Sequence, residues 1–212
     1  MAVSKIVTAS LNDNAVTNAK VGNDISVGKF INKITISNDA TVSISSSVLT
    51  DEYDYYDVII DSVKPVSDGR LLELRMGVEG TTGVDSGSNY AIIIQSYMTV
   101  QGIGVTNATY INANFSRIYL TAPYSTSDMG NTNADTCNLH LRFHNLRYAN
   151  RRKAVTAINA HMSTRADYNA IYNELGFMGI FDNTSNKVDE LEFRASSGNL
   201  LSGTISTYGI KL

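Results

Sequence analysis

The chain has one cysteine, no tryptophan and few charges, and each shortage closes off a class of protein. A lone Cys137 cannot form an intramolecular disulfide, so stability must come from burial or from association with other chains. Charged residues are 17% of the 212, against about a quarter in an average soluble protein, and Ser, Thr, Asn and Gly fill the gap. A net charge of -3 leaves no electrostatic footprint for nucleic acid, which needs clustered Lys and Arg to release counterions. No apolar run approaches the roughly 20 residues that span a bilayer, and the N-terminus lacks a charged-then-apolar signal pattern. The expectation is a protein made in the cytoplasm without a signal peptide, with neither membrane nor nucleic acid as partner.

What is present is period-two alternation. Tyr56, Val58 and Ile60 alternate with Tyr55, Asp57 and Asp61 until Pro65, which has no amide hydrogen for a ladder. Asp68-Gly69 then turns the chain into Leu72, Leu74, Met76 and Val78, interleaved with Glu73, Arg75 and Gly77, and predicts a paired hairpin. Phe30, Ile34 and Ile36 predict a strand, and Val42, Ile44 and Val48 a second. Glu79 to Asn89 reads as a loop. Tyr90 to Met98 is continuously apolar, as in a strand buried on both sides or held at a subunit contact. Leu139, Leu141 and Phe143 face in while His140, Arg142 and His144 face out. Leu191, Phe193 and Ala195 oppose Glu190, Glu192 and Arg194, and Ser196-Ser-Gly-Asn199 turns that strand into a last one as a closing hairpin. One stretch breaks the pattern: Tyr168, Ile171, Tyr172 and Leu175 sit at helical spacing between Ser163 and Gly176, predicting at most one short helix. Eleven or so short β segments separated by turns give an all-β fold, an antiparallel β-sandwich over 29–212. Residues 1–28 are polar and sparsely apolar, an extended N-terminal arm.

Two blocks carry a resemblance. Ser-Gly-Asn at 197–199, Ser-Gly-Thr-Ile at 202–205 and Tyr-Gly-Ile at 208–210 form one. Tyr53-Asp-Tyr-Tyr56, Val58-Ile-Ile60, Val63-Lys-Pro65, Asp68-Gly69 and Leu71 to Arg75 form the other. Together they resemble a family of tailed-bacteriophage virion proteins with a β-sandwich domain, of the tail-fibre or decoration type. The segment Asp13-x-Ala-Val-Thr-x-Ala-Lys20 is similar to short repeats of phage fibre stalks, and Asp24 to Lys29 is a degenerate second copy. The resemblance implies a jelly roll, a location in the virion, trimers, and an arm that docks on other virion proteins of tail or capsid through Asp13, Val16 and Lys20.

The side chains that could do chemistry are few. His140 and His144, four apart on a strand, stand roughly 13 Å from each other and cannot chelate one ion. A site would have to recruit His161. Cys137 lies near His140 in sequence, but a thiolate nucleophile needs a positioned base and an oxyanion pocket. The acidic run Asp51 to Asp57 lacks calcium-loop spacing and reads as structural. No catalytic residue, metal or cofactor is expected. Tyr124, Asp128, Asn131 and Asn133 form a candidate loop for a host-surface glycan, since an aromatic face and amide or carboxylate groups suit a sugar ring. Arg142 to Lys153 forms a basic patch in which Arg147, Arg151 and Arg152 are candidate assembly contacts. The expected function is a non-enzymatic tail-fibre or receptor-binding adhesin module. The alternatives are a capsid decoration or cement protein bridging capsomers and, third, a glycan-active enzyme.

Overall fold

The computed structural model describes residues 28–100, 104–121, 129–131, 136–163 and 171–212, so the arm over 1–28 lies outside it but for Gly28. Among these described residues twelve strands run in order as β1 (Lys29–Asp39), β2 (Val42–Ile44), β3 (Tyr55–Pro65), β4 (Leu72–Val78), β5 (Tyr90–Val100), β6 (Gly104–Phe115), β7 (Ile118–Tyr119), β8 (Cys137–His144), β9 (Lys153–Ser163), β10 (Ile171–Phe181), β11 (Val188–Ala195) and β12 (Leu200–Ile210). They make an uneven antiparallel sandwich. An eight-stranded sheet, β1-β12-β3-β8-β9-β10-β5-β6, faces a four-stranded one, β2-β11-β4-β7. The expected all-β sandwich is therefore the fold. This strand order does not establish the jelly-roll crossings that the resemblance implies.

The alternations decide which face is inside. Tyr56, Val58, Ile60, Leu139, Leu141, Phe143 and Ile205 of the large sheet meet Leu72, Leu74, Met76, Leu191 and Phe193 of the small one, each no more than 3% exposed. Full burial of such a side chain is worth about 1.5–3 kcal/mol, which makes this interior the main favourable contribution to folding.

Both expected hairpins are corrected. β3 and β4 lie in different sheets, as do β11 and β12, so neither pair shares a ladder. Each turn instead carries the chain across the sandwich, because the apolar faces of the two strands it joins look at each other over the core. The two arches sit side by side: the Val66 amide donates to the Asn199 carbonyl at 2.9 Å and the Ser196 amide to the Leu71 carbonyl at 2.9 Å. Ladders then pair the same segments within each sheet, β12 on β3 and β11 on β4. Gly69 and Gly198 take φ of 70° and 72° in these turns, which favours glycine at both.

Four smaller expectations also change. Phe30 is 54% exposed, because a bulge between Phe30 and Asn32 rotates it off the inner face and onto the Tyr208 ring at 5.6 Å. β2 stops at Ile44, where the Ser45 carbonyl accepts the amides of Val48 and Leu49 and makes a turn of what alternation read as strand. Over 90–94 β5 is buried on one face only, with Tyr90, Ile92 and Ile94 inside and Ile93 40% exposed. No helix fills the ends of the 163–176 stretch: Ser163 closes β9, and Ile171 opens a ladder with β5 that runs unbroken from Ile171–Val100 to Phe181–Tyr90. Ile171 and Leu175 share a parity on a strand as well as a helical face, and the waiting β5 decides between them. Tyr168 lies outside the described residues.

Candidate functional site

Strand direction sorts the connections into two ends. Residues 66–71, 129–131 and 196–199 gather at one, and 49–54, 145–152 and 182–187 at the other. The candidates are divided between them, with Asn131 at the first end and Arg147, Arg151 and Arg152 at the second. Tyr124, Asp128 and Asn133, like Asp13, Val16 and Lys20, lie outside the described residues.

At the first end Asn131 is a clip. Its amide donates to Asp68 Oδ1 at 2.7 Å and its Nδ2 to the Val66 carbonyl at 3.3 Å. Met129 and Arg70 bridge beside it, which fastens 129–131 to the β3–β4 arch. Asn199 Nδ2 reaches the Asn38 carbonyl at 2.9 Å, tying the other arch to the end of β1.

At the second end the acidic run is shared out one carboxylate at a time. Asp51 accepts from Arg147 Nε at 2.9 Å and Lys187 Nζ at 2.6 Å, and these two bonds hold its carboxyl below the usual range. Asp54 accepts from the Leu212 amide at 2.9 Å and the Tyr148 hydroxyl at 2.7 Å, with the same effect on its carboxyl. Arg147 is consumed internally: its side chain is 10% exposed, and its Nη1 donates to the Val188 carbonyl at 2.9 Å. Arg151 and Arg152 are the outward members. The Arg151 guanidinium lies 4.9 Å from the Tyr148 ring centre, and Arg152 pairs with Asp182 at 2.6 Å in solvent. This end displays a cation–aromatic shelf, chemistry suited to recognising a polar or anionic surface.

Lys153, expected in the basic patch, is corrected. It stands on the core side of β9 with Val155, fully buried, and its ammonium donates to the Asn183 carbonyl at 3.0 Å. Burial lowers its pKa. The alkyl stem fills the interior while the nitrogen reaches the rim.

The outer face of the large sheet carries a second polar group. Arg142 grips Asp57 through Nε at 2.7 Å and Nη2 at 2.8 Å. His140 Nε2 lies 3.3 Å from Asp57 Oδ2 but off line for a hydrogen bond. His144 packs edge-on to the Tyr55 ring and contacts Thr156 Oγ1 at 3.2 Å, and burial first, then Arg142, lowers its pKa. His161 sits on β9 opposite Asn138. Among the described residues no three His, Cys, Asp or Glu come together as a metal site. Cys137 is buried and its thiol is pushed up to about 12 by desolvation, the reverse of what a nucleophile needs.

Sequence reasoning missed Glu73, 1% exposed on the far side of the small sheet, where Arg117 Nη1 lies at 2.9 Å and Arg194 Nε at 3.3 Å. Alternation marks it as facing away from the core. Only the pairing of β4 with β7 and β11 brings the two guanidinium groups over it. A shallow cavity of about 300 Å³ opens beside β1, between Phe30, Tyr53 and the Lys29–Glu52 pair at 3.5 Å. That pair is more than half exposed and screened by water, so it would grip a ligand weakly. Comparisons with family models, curated proteins and solved structures return no match for this chain.

Proposed function

We propose that the chain is a non-enzymatic structural component of a tailed-bacteriophage virion, serving as a tail-fibre or receptor-binding adhesin module. The observation that supports this reading is the double arch. The two sequence blocks that carry the resemblance, more than a hundred residues apart, lie against each other as β3 and β12 of the large sheet and are joined at their turns by the Val66–Asn199 hydrogen bond. They form one structural unit, as a family signature should. In this reading the arm over 1–28 attaches the sandwich to neighbouring virion proteins and winds with two sister arms, while the loop ends, including the Tyr148–Arg151 shelf, are turned to the host surface.

Gold-labelled antibody against the protein, applied to virions purified from lysates of the host that makes it, tests the reading. Label at the tail is the expected result. Label confined to the shell would favour the cement alternative, and particles free of label would remove both. Release of reducing sugar from host polysaccharide would favour the enzyme.

A further inference from the structure

Four arginines stand in and beside the 145–152 connection, and three of them have a carboxylate of their own. Arg142 holds Asp57 at 2.7 Å, Arg147 holds Asp51 at 2.9 Å and Arg152 holds Asp182 at 2.6 Å. Arg151 is the exception. It is exposed and, among the described residues, pairs with no carboxylate; its guanidinium rests instead on the Tyr148 ring, 4.9 Å from the centre. A ring face holds a cation without occupying its N–H donors, so the fork stays open to a ligand. Asp54 does not fill it, because one of its oxygens accepts from the Tyr148 hydroxyl and the other from the Leu212 amide. Lys211 adds a second positive charge within electrostatic reach of Asp54. The connection that carries these groups is pinned. Asn145 Nδ2 donates to the Arg152 carbonyl at 3.1 Å, the Tyr148 amide to the Asn145 carbonyl at 3.1 Å and the Asn150 amide to the Thr184 carbonyl at 2.5 Å. Tyr148 is 38% exposed with its hydroxyl fixed, and Asn150 is exposed between it and Arg151.

We infer that Tyr148, Asn150 and Arg151 form a binding site for an acidic sugar, a pyranose that carries a carboxylate. The C–H face of such a ring lies on the exposed phenol, the Asn150 side chain meets its hydroxyls, and its carboxylate takes two parallel N–H bonds from the Arg151 guanidinium. A neutral sugar would leave the open guanidinium unused. A phosphate carries nearly two charges, whereas a single open fork matches one. An acidic peptide would use the guanidinium but not the pairing of ring and amide that a polyol engages. Because the connection is already held by its own hydrogen bonds, little ordering is left to oppose binding. The site is open to water, so it holds one sugar with a Kd of about 1 mM, and several copies on one particle would multiply that grip. The site gives the shelf of the adhesin reading its ligand and rests on that reading only for where the sugar is found, the host surface.

Saturation-transfer NMR on the full-length protein with glucuronate, galacturonate and N-acetylneuraminate, each beside its methyl ester, tests this. Binding of at least one of the three acids, and roughly tenfold weaker binding of its ester, is the expected result. Arg151→Gln should weaken that binding roughly tenfold and Tyr148→Ala at least as much, with the far-ultraviolet circular dichroism unchanged. Arg152→Gln is the control, since that arginine is already paired, and should leave the binding unmoved. Failure of all three acids to bind, an ester bound as well as its acid, or equal losses from Arg151→Gln and Arg152→Gln overturns the site. Glucose 6-phosphate bound more tightly than any of the acids overturns the choice of carboxylate. The antibody label on virions is read separately. Label at the tail without sugar binding removes the site and leaves the adhesin reading, whereas sugar binding by a protein that virions lack keeps the site and removes that reading.

Discussion

Gly209 lies flat against the phenol ring of Tyr53, so close that a methyl group built on its α-carbon would overlap the ring carbons. Tyr53 in turn packs edge-on to Tyr56 at 5.8 Å, and the Tyr56 hydroxyl closes the segment by donating to the Thr50 carbonyl at 2.5 Å while accepting the Thr50 amide at 2.7 Å. The contact joins the last strand to the segment that enters β3. Gly209→Ala should force the ring or the strand aside and cost about 1–3 kcal/mol, the usual penalty for overpacking. Urea unfolding measures it. Adding Tyr53→Ala to Gly209→Ala should recover part of the loss, since the second change removes the clash. A double variant as unstable as the sum of the two singles would show that the overlap is not the cause.

Glu73 is a buried carboxylate held by two arginines whose own side chains are about 30% exposed. Either arginine alone can keep the charge compensated, so Arg117→Met and Arg194→Met should each cost little. Removing both leaves an unpaired charge inside, for which about 3–5 kcal/mol is typical. The expected signature is a loss in the double variant well beyond the sum of the singles, read from a double-mutant cycle. Strict additivity would mean that the carboxylate does not depend on them.

The strands were legible because alternation reports a physical fact, that one face of each strand is dry. Leu72, Leu74, Leu139, Leu141, Leu191 and Phe193 could be placed inside from spacing alone. What spacing cannot report is which strands are neighbours. Asp68-Gly69 and Gly198-Asn199 look the same in sequence whether they fold a hairpin or an arch, and only the sheet each strand joins tells them apart. The sites suffered most from this. Asp57 finds Arg142 and Glu73 finds Arg117 through register, which no single segment contains. Lys153 misled for another reason, since a charged residue at a turn gave no sign that its stem points into the core.

Acid should weaken the fold in two steps. The His144 pKa is lowered in the folded protein, so between that value and the unfolded one, near 6.5, the unfolded chain binds more protons and stability falls as pH falls. The carboxyls of Asp51 and Asp54 are also lowered, so their contribution is complete above about pH 4 and is lost as pH drops through their folded values. Both steps carry the same sign. Thermal midpoints measured from pH 8 to pH 3 should decline first near pH 6 and again below about pH 4. His144→Gln should flatten the first decline and Asp51→Asn with Asp54→Asn the second. A midpoint constant across the upper step would mean that His144 is not desolvated.

Lys153 provides the sharpest test of packing against charge. Its ammonium is buried, donates to the Asn183 carbonyl, and faces no carboxylate among the described residues, while its stem lies beside Val155 in the interior. Keeping a charge there costs desolvation that a single carbonyl offsets only in part. Lys153→Met keeps the length of the stem and removes the charge, so stability should hold or rise by about 1 kcal/mol. Lys153→Ala removes the stem as well and leaves a cavity, costing about 2–3 kcal/mol. Chemical denaturation of the two variants separates the terms. If Met proved as damaging as Ala, the bond to Asn183 would outweigh the packing, and the rim of the 182–187 connection would be the structure that Lys153 serves.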